Sequence, residues 1–324
     1  MNDVLLALWS DRLFMAAVAV YVLAMMLHAA EFAAARAART PGPVPAAVAV
    51  GGGGSEPVGA GPGEPDTAGP DAGGVPPAVP GRAQRLGAGA VNLTVLGVGL
   101  HLGSIVARGL AADRWPLGNM YEFTSMFCLA AVIAWLVVLR RAPALRTVGL
   151  FVLLPVVVLL FVAGTVLYAR AAPVVPALRS YWLVVHVTTI TVSSGLLIVP
   201  GVASLLHLLA ERGVGDGRLP GAETLDRLAY RTTIVAFPLY TFGVIAGAVW
   251  AEAAWGRFWG WDPKETVAFV AWVVYAAYLH ARATAGWRRS RAAWINVVGL
   301  AVVLFNLFFI NMVVAGLHSY AGLG

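Results

Sequence analysis

Between two long apolar runs lies the stretch Trp250 to Glu265, WAEAAWGRFWGWDPKE, which holds four tryptophans, a phenylalanine, an aspartate and two glycines. Tryptophan at a membrane surface can serve anchoring alone. The spacing W-G-x-x-W-x-W-D goes further, because it lays several flat rings on one non-helical surface that ends in a carboxylate. Two histidines stand near the ends of other apolar runs: His186 in PALRSYWLVVHV and His318 in GLHSY. Two neutral imidazoles on opposite sides of a flat, aromatic-lined cavity are the ligand set of an axially held haem iron. For either histidine alone, a hydrogen bond to a neighbouring helix explains the residue as well; it is their joint placement beside the tryptophans that favours ligation. Asp262 has two readings that are compatible. With Pro263 at the first helical position and Glu265 at the third, it is a helix N-cap, and it is also placed to touch a bound ligand.

These residues need a membrane frame. Hydrophobic residues make up 60% of the 324 residues and charged ones 12%, and mean hydropathy is +0.79, which excludes an ordinary soluble domain. A span needs roughly 20 apolar residues. Such runs fall near 12–32, 89–108, 121–139, 148–168, 183–209, 232–251, 266–284 and 293–315. The expected fold is therefore all-α, a polytopic membrane bundle of about eight helices. Its parts are an N-terminal helix over 1–36, a segment at 37–87 and a transmembrane domain over 88–324 that carries the tryptophan loop. The middle segment, with PGPVP, GGGGS and GAGPGEPDTAGPDAGG, is too poor in large apolar residues to offset chain entropy and reads as a disordered tether. The N-terminus lacks a basic leader and a cleavage-type site, so the first run is expected to be retained.

Basic residues orient the bundle. If the tether is cytoplasmic, fifteen of the 22 basic residues lie inside and seven outside, which places both termini and the tryptophan loop outside. The twenty-one arginines and one lysine form no block, so nucleic-acid binding has no support. The single cysteine, Cys128, lies in an apolar run and excludes a CxxC centre or thiolate metal site. His280 falls fifteen residues after Glu265, about 22 Å along a helix, so any ligand it binds is at a second, inner site. His28, His101 and His207 read as packing residues, and Asn296, Gly299 and Asn306 as small and amide residues that join helices.

Four stretches resemble one family, the CcsA (also ResC) subunit of the System II cytochrome c synthetase, labelled CcsB in some lineages. WPLGNMYEF looks like its PLSNLYE segment, and PALRSYWLVVHV like its first outer-histidine motif. WGRFWGWDPKETVAFVAWVVYAAYLHAR looks like its tryptophan signature followed by a membrane histidine, and GLHSY like its second outer-histidine motif. Together they cover most of 115–324; Gly118, Met120 and Phe123 depart from the usual third-helix residues. The resemblance implies that Trp255, Gly256, Trp259, Trp261 and Asp262 form a haem-holding loop, that His186 and His318 are axial ligands at the outer face, and that His280 ligates haem within the membrane. It also implies haem b as bound substrate, a ResB/CcsB-type membrane partner that supplies the second inner ligand, an apocytochrome c and a thiol-disulfide reductant protein. The setting would be the plasma membrane, with the loop on the extracytoplasmic side. The expected role is a haem lyase subunit that positions its substrates without a dedicated acid or base. The rivals are a System I haem-handling protein that delivers haem to a chaperone, and a polytopic transporter whose aromatic loop is only an anchor.

Overall fold

A computed structural model describes residues 2–37, 81–173, 180–215, 218–284, 287 and 290–318. Of the tether read from the sequence over 37–87, residues 38–80 lie outside these, while residues 82–87 are helical and not disordered, since they extend the second span toward buried Gly87. Among the described residues all regular structure is helical. Eight helical spans are long and apolar enough to cross a membrane, so the chain is a multi-pass membrane protein. In order they comprise α1 (Asn2–Ala37), α2 (Arg82–Ala112), α3 (Met120–Arg141), α4 (Gly149–Thr165, entered through a 3₁₀ turn), α5 and α6 (Tyr181–Leu196 and Ile198–Glu211, one span), α7 (Ala222–Trp255), α8 (Pro263–Ala283) and α9 (Ser290–Phe305). The last span continues through a π turn, Asn306–Ile310, and a final helical turn, Asn311–Val313.

Each apolar run read from the sequence becomes a span, but several are longer than the run that signals them. The sixth begins at Ala222, ten residues before its apolar run, because ETLDRLAYR carries charge on one side while Leu225, Leu228 and Ala229 are buried on the other. The fifth is interrupted at Leu197, just before Pro200, whose missing N–H cannot complete the helical ladder.

The packing is driven by small and polar seams, as expected where lipid competes equally well for apolar side chains. On α1, Ser10, Phe14, Ala17, Tyr21, Ala24, His28 and Glu31 are buried, and on α2 Gly87, Ala90, Thr94, Gly97, His101, Ser104 and Arg108 are buried. Both series alternate steps of three and four, so each forms one stripe. The stripes meet. A Cβ on Gly97 would lie 2.6 Å from the Tyr21 ring, and Ser10 donates to the Ser104 carbonyl at 2.9 Å. His101 meets Ser125 Oγ at 2.8 Å, and His207 Nδ1 donates to the Ala222 carbonyl at 2.8 Å, so these two serve packing as their contexts suggested. The α1–α2 pair leans on α4 and α3, and α3 packs on α5 at the centre. There Gly195 lets the backbones touch, since a Cβ on it would stand 2.3 Å from the Phe127 carbonyl oxygen. On the far side, Asn296 donates to Thr233 Oγ1 at 3.0 Å and Gly299 lies under the Tyr275 ring, which joins α9 to α7 and α8.

Alternating spans bring the starts of α1, α3, α5 and α8 to the same end of the bundle as the finishes of α2, α4, α7 and α9. That end carries the tryptophan loop.

Candidate functional site

Helix α7 stops at Trp255 because Gly256 takes a left-handed conformation (φ 70°), where a Cβ is disfavoured, and its N–H donates back to Glu252. The chain then runs without helix to Asp262, which starts α8. The capping pattern forms as the sequence suggests. Asp262 accepts from the Lys264 N–H at 3.2 Å, and Glu265 Oε2 accepts from the N–H groups of Asp262 (3.1 Å) and Gly260 (2.9 Å).

Asp262 does more than cap. Its Oδ1 accepts the Leu317 N–H at 2.7 Å and its Oδ2 accepts His318 Nδ1–H at 2.8 Å. Gly316 makes the approach possible, because a Cβ there would be 2.6 Å from Asp262 Oδ1. One carboxylate thus starts a helix and fixes the ring of a histidine 56 residues away. Burial pushes this carboxyl upward, but the His318 ring and the N–H groups of Leu317 and Lys264 outweigh it, so it titrates below its ordinary value. Its contribution to stability is therefore complete above the ordinary carboxylate value of 3.8 and is lost as pH falls through the lowered one.

His186, on α5, is held by α7. Its Nδ1 donates to the Gly243 carbonyl at 2.8 Å. A carbonyl only accepts, so this contact fixes the tautomer and puts the lone pair on Nε2. The carboxylate of Asp262 does the same for His318. Room for the His186 ring comes from Gly247, whose Cβ would lie 2.7 Å from Cε1, and Gly243 brings α7 against the Ile190 backbone. These two glycines form a G-x-x-x-G pair, GVIAG, on the α7 face that meets α5.

Both histidines line a cavity with about 1230 Å³ of empty space, open solvent at its mouth included, lined by residues from α3, α5, α7, α8, α9 and the loop. Its wall holds His186, His318, Trp250, Trp255 and Trp259. Trp250 links the two histidines: its ring lies 6.1 Å from each, parallel to His186 within 9°, and 4.8 Å from Trp255. Trp255 in turn stands 5.4 Å from His318.

Not every residue singled out from the sequence converges here. Trp261, at φ 55°, is 66% exposed, does not line the cavity, and stands 5.9 Å from Trp259 and 6.4 Å from Phe269. Gly256 shapes the loop and lines nothing. His280 lies near the opposite end of the bundle, on an exposed face of α8. Two contributors escaped the sequence reading. Trp250 is the first tryptophan of the cluster, and helical spacing from Gly243 and Gly247 would have placed it on the His186 face. Lys264, counted there only among the basic residues that orient the bundle, lines the cavity.

The segment before α3 forms another part of the wall: Leu117, Gly118, Asn119 and Met120 face the cavity. Glu122 does not. It is buried beneath them, accepting from Gly118 N–H (2.8 Å), Arg108 Nε (3.1 Å) and Arg114 Nη1 (2.7 Å), while Asn119 caps α3 by accepting the Glu122 N–H at 2.9 Å.

The family model described as cytochrome C assembly protein matches residues 117–318, from the third-helix mouth to the second cavity histidine. The chain is 38% identical over 263 residues to the cytochrome c biogenesis protein CcsA of Parasynechococcus marenigrum, covering 72% of this chain and 86% of that one. It is 34% identical to the Guillardia theta CcsA, covering 74% and 86%, and 33% identical to that of Gloeobacter violaceus, covering 74% and 87%. A solved structure, the cytochrome c haem lyase CcmF, shares the fold with a TM-score of 0.63 at 17% identity over 94% of this chain and 46% of that one.

Proposed function

The chain belongs to the cytochrome c assembly protein family, among the CcsA proteins of cytochrome c biogenesis, and from that premise we propose that it moves haem to the tryptophan end of the bundle and presents it there for thioether attachment to an apocytochrome c. The observation that carries this reading is the pairing of His186 and His318. Both line one aromatic cavity, and both have Nδ1 committed to an acceptor, which puts the lone pair on Nε2. Metal-ligating histidines are oriented in this way, by a carbonyl or carboxylate behind the ring. The cavity also has the largely apolar lining with a few polar groups that is usual for an organic ligand's site.

The porphyrin supplies two vinyl groups to the reaction. In each attachment the cysteine sulfur bonds to one vinyl carbon and the thiol proton ends on the other, with no net transfer of electrons. The protein's share is positioning. The imidazoles fix the ring plane, and Trp250, Trp255 and Trp259 wall in its apolar faces and edges. No cavity residue is needed as a general acid or base. One imidazole gives way when the histidine of the apocytochrome CxxCH motif arrives, so ligation at this site is exchangeable. The arginine distribution supports an extracytoplasmic position for the site, and the family reading puts the protein in the plasma membrane. A ResB/CcsB-type partner and a thiol-disulfide reductant, which keeps the cysteines reduced, complete the haem lyase complex. Haem b is the substrate.

The test is the absorption spectrum of the chain purified with its membrane partner. A haem Soret band is expected, and the double variant His186→Ala/His318→Ala loses the fraction held at the tryptophan end. Absence of the band, or a band untouched by the double replacement, refutes the reading.

Two further results are expected. Gly247→Val crowds the His186 ring, so haem retained at this end should drop by on the order of tenfold or more, as for other losses of ligand orientation, while the helical content seen by circular dichroism stays unchanged. His280, exposed on α8 toward the opposite end, is read as an inner ligand completed by the partner subunit. His280→Ala should therefore deplete haem at both ends of the bundle in the purified complex. Normal loading at the tryptophan end would remove His280 from the route.

A further inference from the structure

We propose that Lys264 is the anchor for a carboxylate of the bound ligand, which, on the haem reading above, is a porphyrin propionate, and that it thereby sets the rotation of the ring in its plane. Lys264 lines the cavity and is partly buried. Its ammonium contacts the Asn311 side-chain oxygen and lies 5.8 Å from the Phe123 ring centre. Among the described residues no carboxylate oxygen comes within 4.0 Å of it to form an ion pair. The two acids nearest in sequence are engaged elsewhere. Asp262 spends its oxygens on Leu317, His318 and the Lys264 backbone, and Glu265 turns back to the N–H groups of Gly260 and Asp262. A cation withdrawn from water into an apolar wall is costly unless it is paired. An amide and a ring face are weak compensation, so the missing partner is an anion that arrives with the ligand.

The surroundings of Lys264 agree. Asn306, at the start of the π turn that interrupts the last span, lines the same part of the wall, and its Nδ2 reaches the Lys264 carbonyl at 3.4 Å. Its buried Oδ1 has no hydrogen-bond partner. The Nδ2 contact to the Lys264 carbonyl fixes which end of this amide carries the nitrogen, and the unpaired oxygen marks the corner as a polar site whose hydrogen bonding is incomplete without a ligand. π turns recur at functional sites because they re-aim side chains that a regular helix would point away. Lys264 and Asn306, with Asn311 behind the ammonium, therefore give the cavity a polar corner; Glu265, Asn119 and Ser194 also line the wall, which is otherwise mostly aromatic and aliphatic. An amphipathic ring with acid groups along one edge fits that division. Seating the acids there turns the opposite edge of the ring, which carries both vinyl groups, toward the incoming thiols.

The test compares haem with its dimethyl ester, titrated by absorbance into the complex of this chain with its partner. Wild-type protein is expected to bind the diacid at least tenfold more tightly than the diester. Lys264→Met should lose most of that preference and Lys264→Arg keep it. Equal binding of the two porphyrins by wild type, or an undiminished preference in Lys264→Met, overturns the assignment while leaving the haem site intact. If neither porphyrin binds in a His186- and His318-dependent way, the haem reading fails and the assignment fails with it.

Discussion

Asp262→Ala is expected to cost the complex on the order of 10–100-fold in haem retained at the tryptophan end, the range found when a group behind a metal-ligating histidine is removed. Three contacts vanish together: the cap on α8, the Leu317 N–H contact that docks the last turn, and the acceptor that orients His318. The cap alone would cost about 0.5–2 kcal/mol, a modest drop in thermal stability. The larger effect is on the ligand. Without an acceptor at Nδ1 the His318 ring is free to rotate or to exchange tautomers, and its lone pair no longer has a fixed direction. Asp262→Asn separates the two parts. The amide oxygen, in the place of Oδ2, still caps the helix and still accepts from Nδ1–H, but it brings no charge to strengthen that bond, and the NH2 in the place of Oδ1 cannot accept from the Leu317 N–H. Its haem retention and its thermal midpoint should both fall between those of the wild type and Asp262→Ala. The measurement is the Soret absorbance per protein after dialysis against a haem scavenger. An alanine variant that holds haem like the wild type would show that His318 needs no orienting group.

The contacts of Asp262 show what a sequence can and cannot disclose here. Its capping role was readable because D-P-K-E is local, with each partner within three residues. Its hold on His318 spans 56 residues, and no local pattern announces it. The spans were equally legible, since a lipid environment demands long apolar runs and each run became a helix. Their seams were harder to read, because lipid-facing and protein-facing residues are both apolar. What distinguishes the buried faces is small size, as in Gly243 and Gly247 beneath His186, and that signal is easily lost among 36 glycines. The loop residues followed the same division. Trp255 and Trp259 reached the cavity, whereas the left-handed backbone at Trp261 turned its ring outward onto Phe269. Lys264 was hidden for a different reason: a basic residue at a helix start near the membrane surface looks like an anchor until the cavity around it is seen.

Glu122 carries the other large expected effect, although it touches no ligand. Its side chain is buried between two guanidinium groups, Arg108 and Arg114, and each is tied further. Arg114 donates to the Ala172 carbonyl at 2.8 Å, and Arg108 reaches the Ala169 carbonyl and, at 3.6 Å, Asp11 on α1. This knot joins α1, α2, α3 and the chain after α4 immediately beneath the wall formed by Leu117 to Met120. Removing one partner of a buried pair leaves an uncompensated charge and typically costs 3–5 kcal/mol; here two cations would lose their shared anion. Glu122→Ala should therefore lower the thermal midpoint of the detergent-solubilised complex by more than any single change in the tryptophan loop. Glu122→Gln keeps an acceptor for Gly118 N–H and should recover part of the loss. Because Gly118 hangs from the same carboxylate, the cavity mouth should loosen before the bundle unfolds. Haem is then expected to leave Glu122→Ala at temperatures where circular dichroism still reports intact helices, and Glu122→Gln to hold it longer. Coincident loss of haem and helix would mean that Glu122 supports the bundle as a whole and not the mouth in particular.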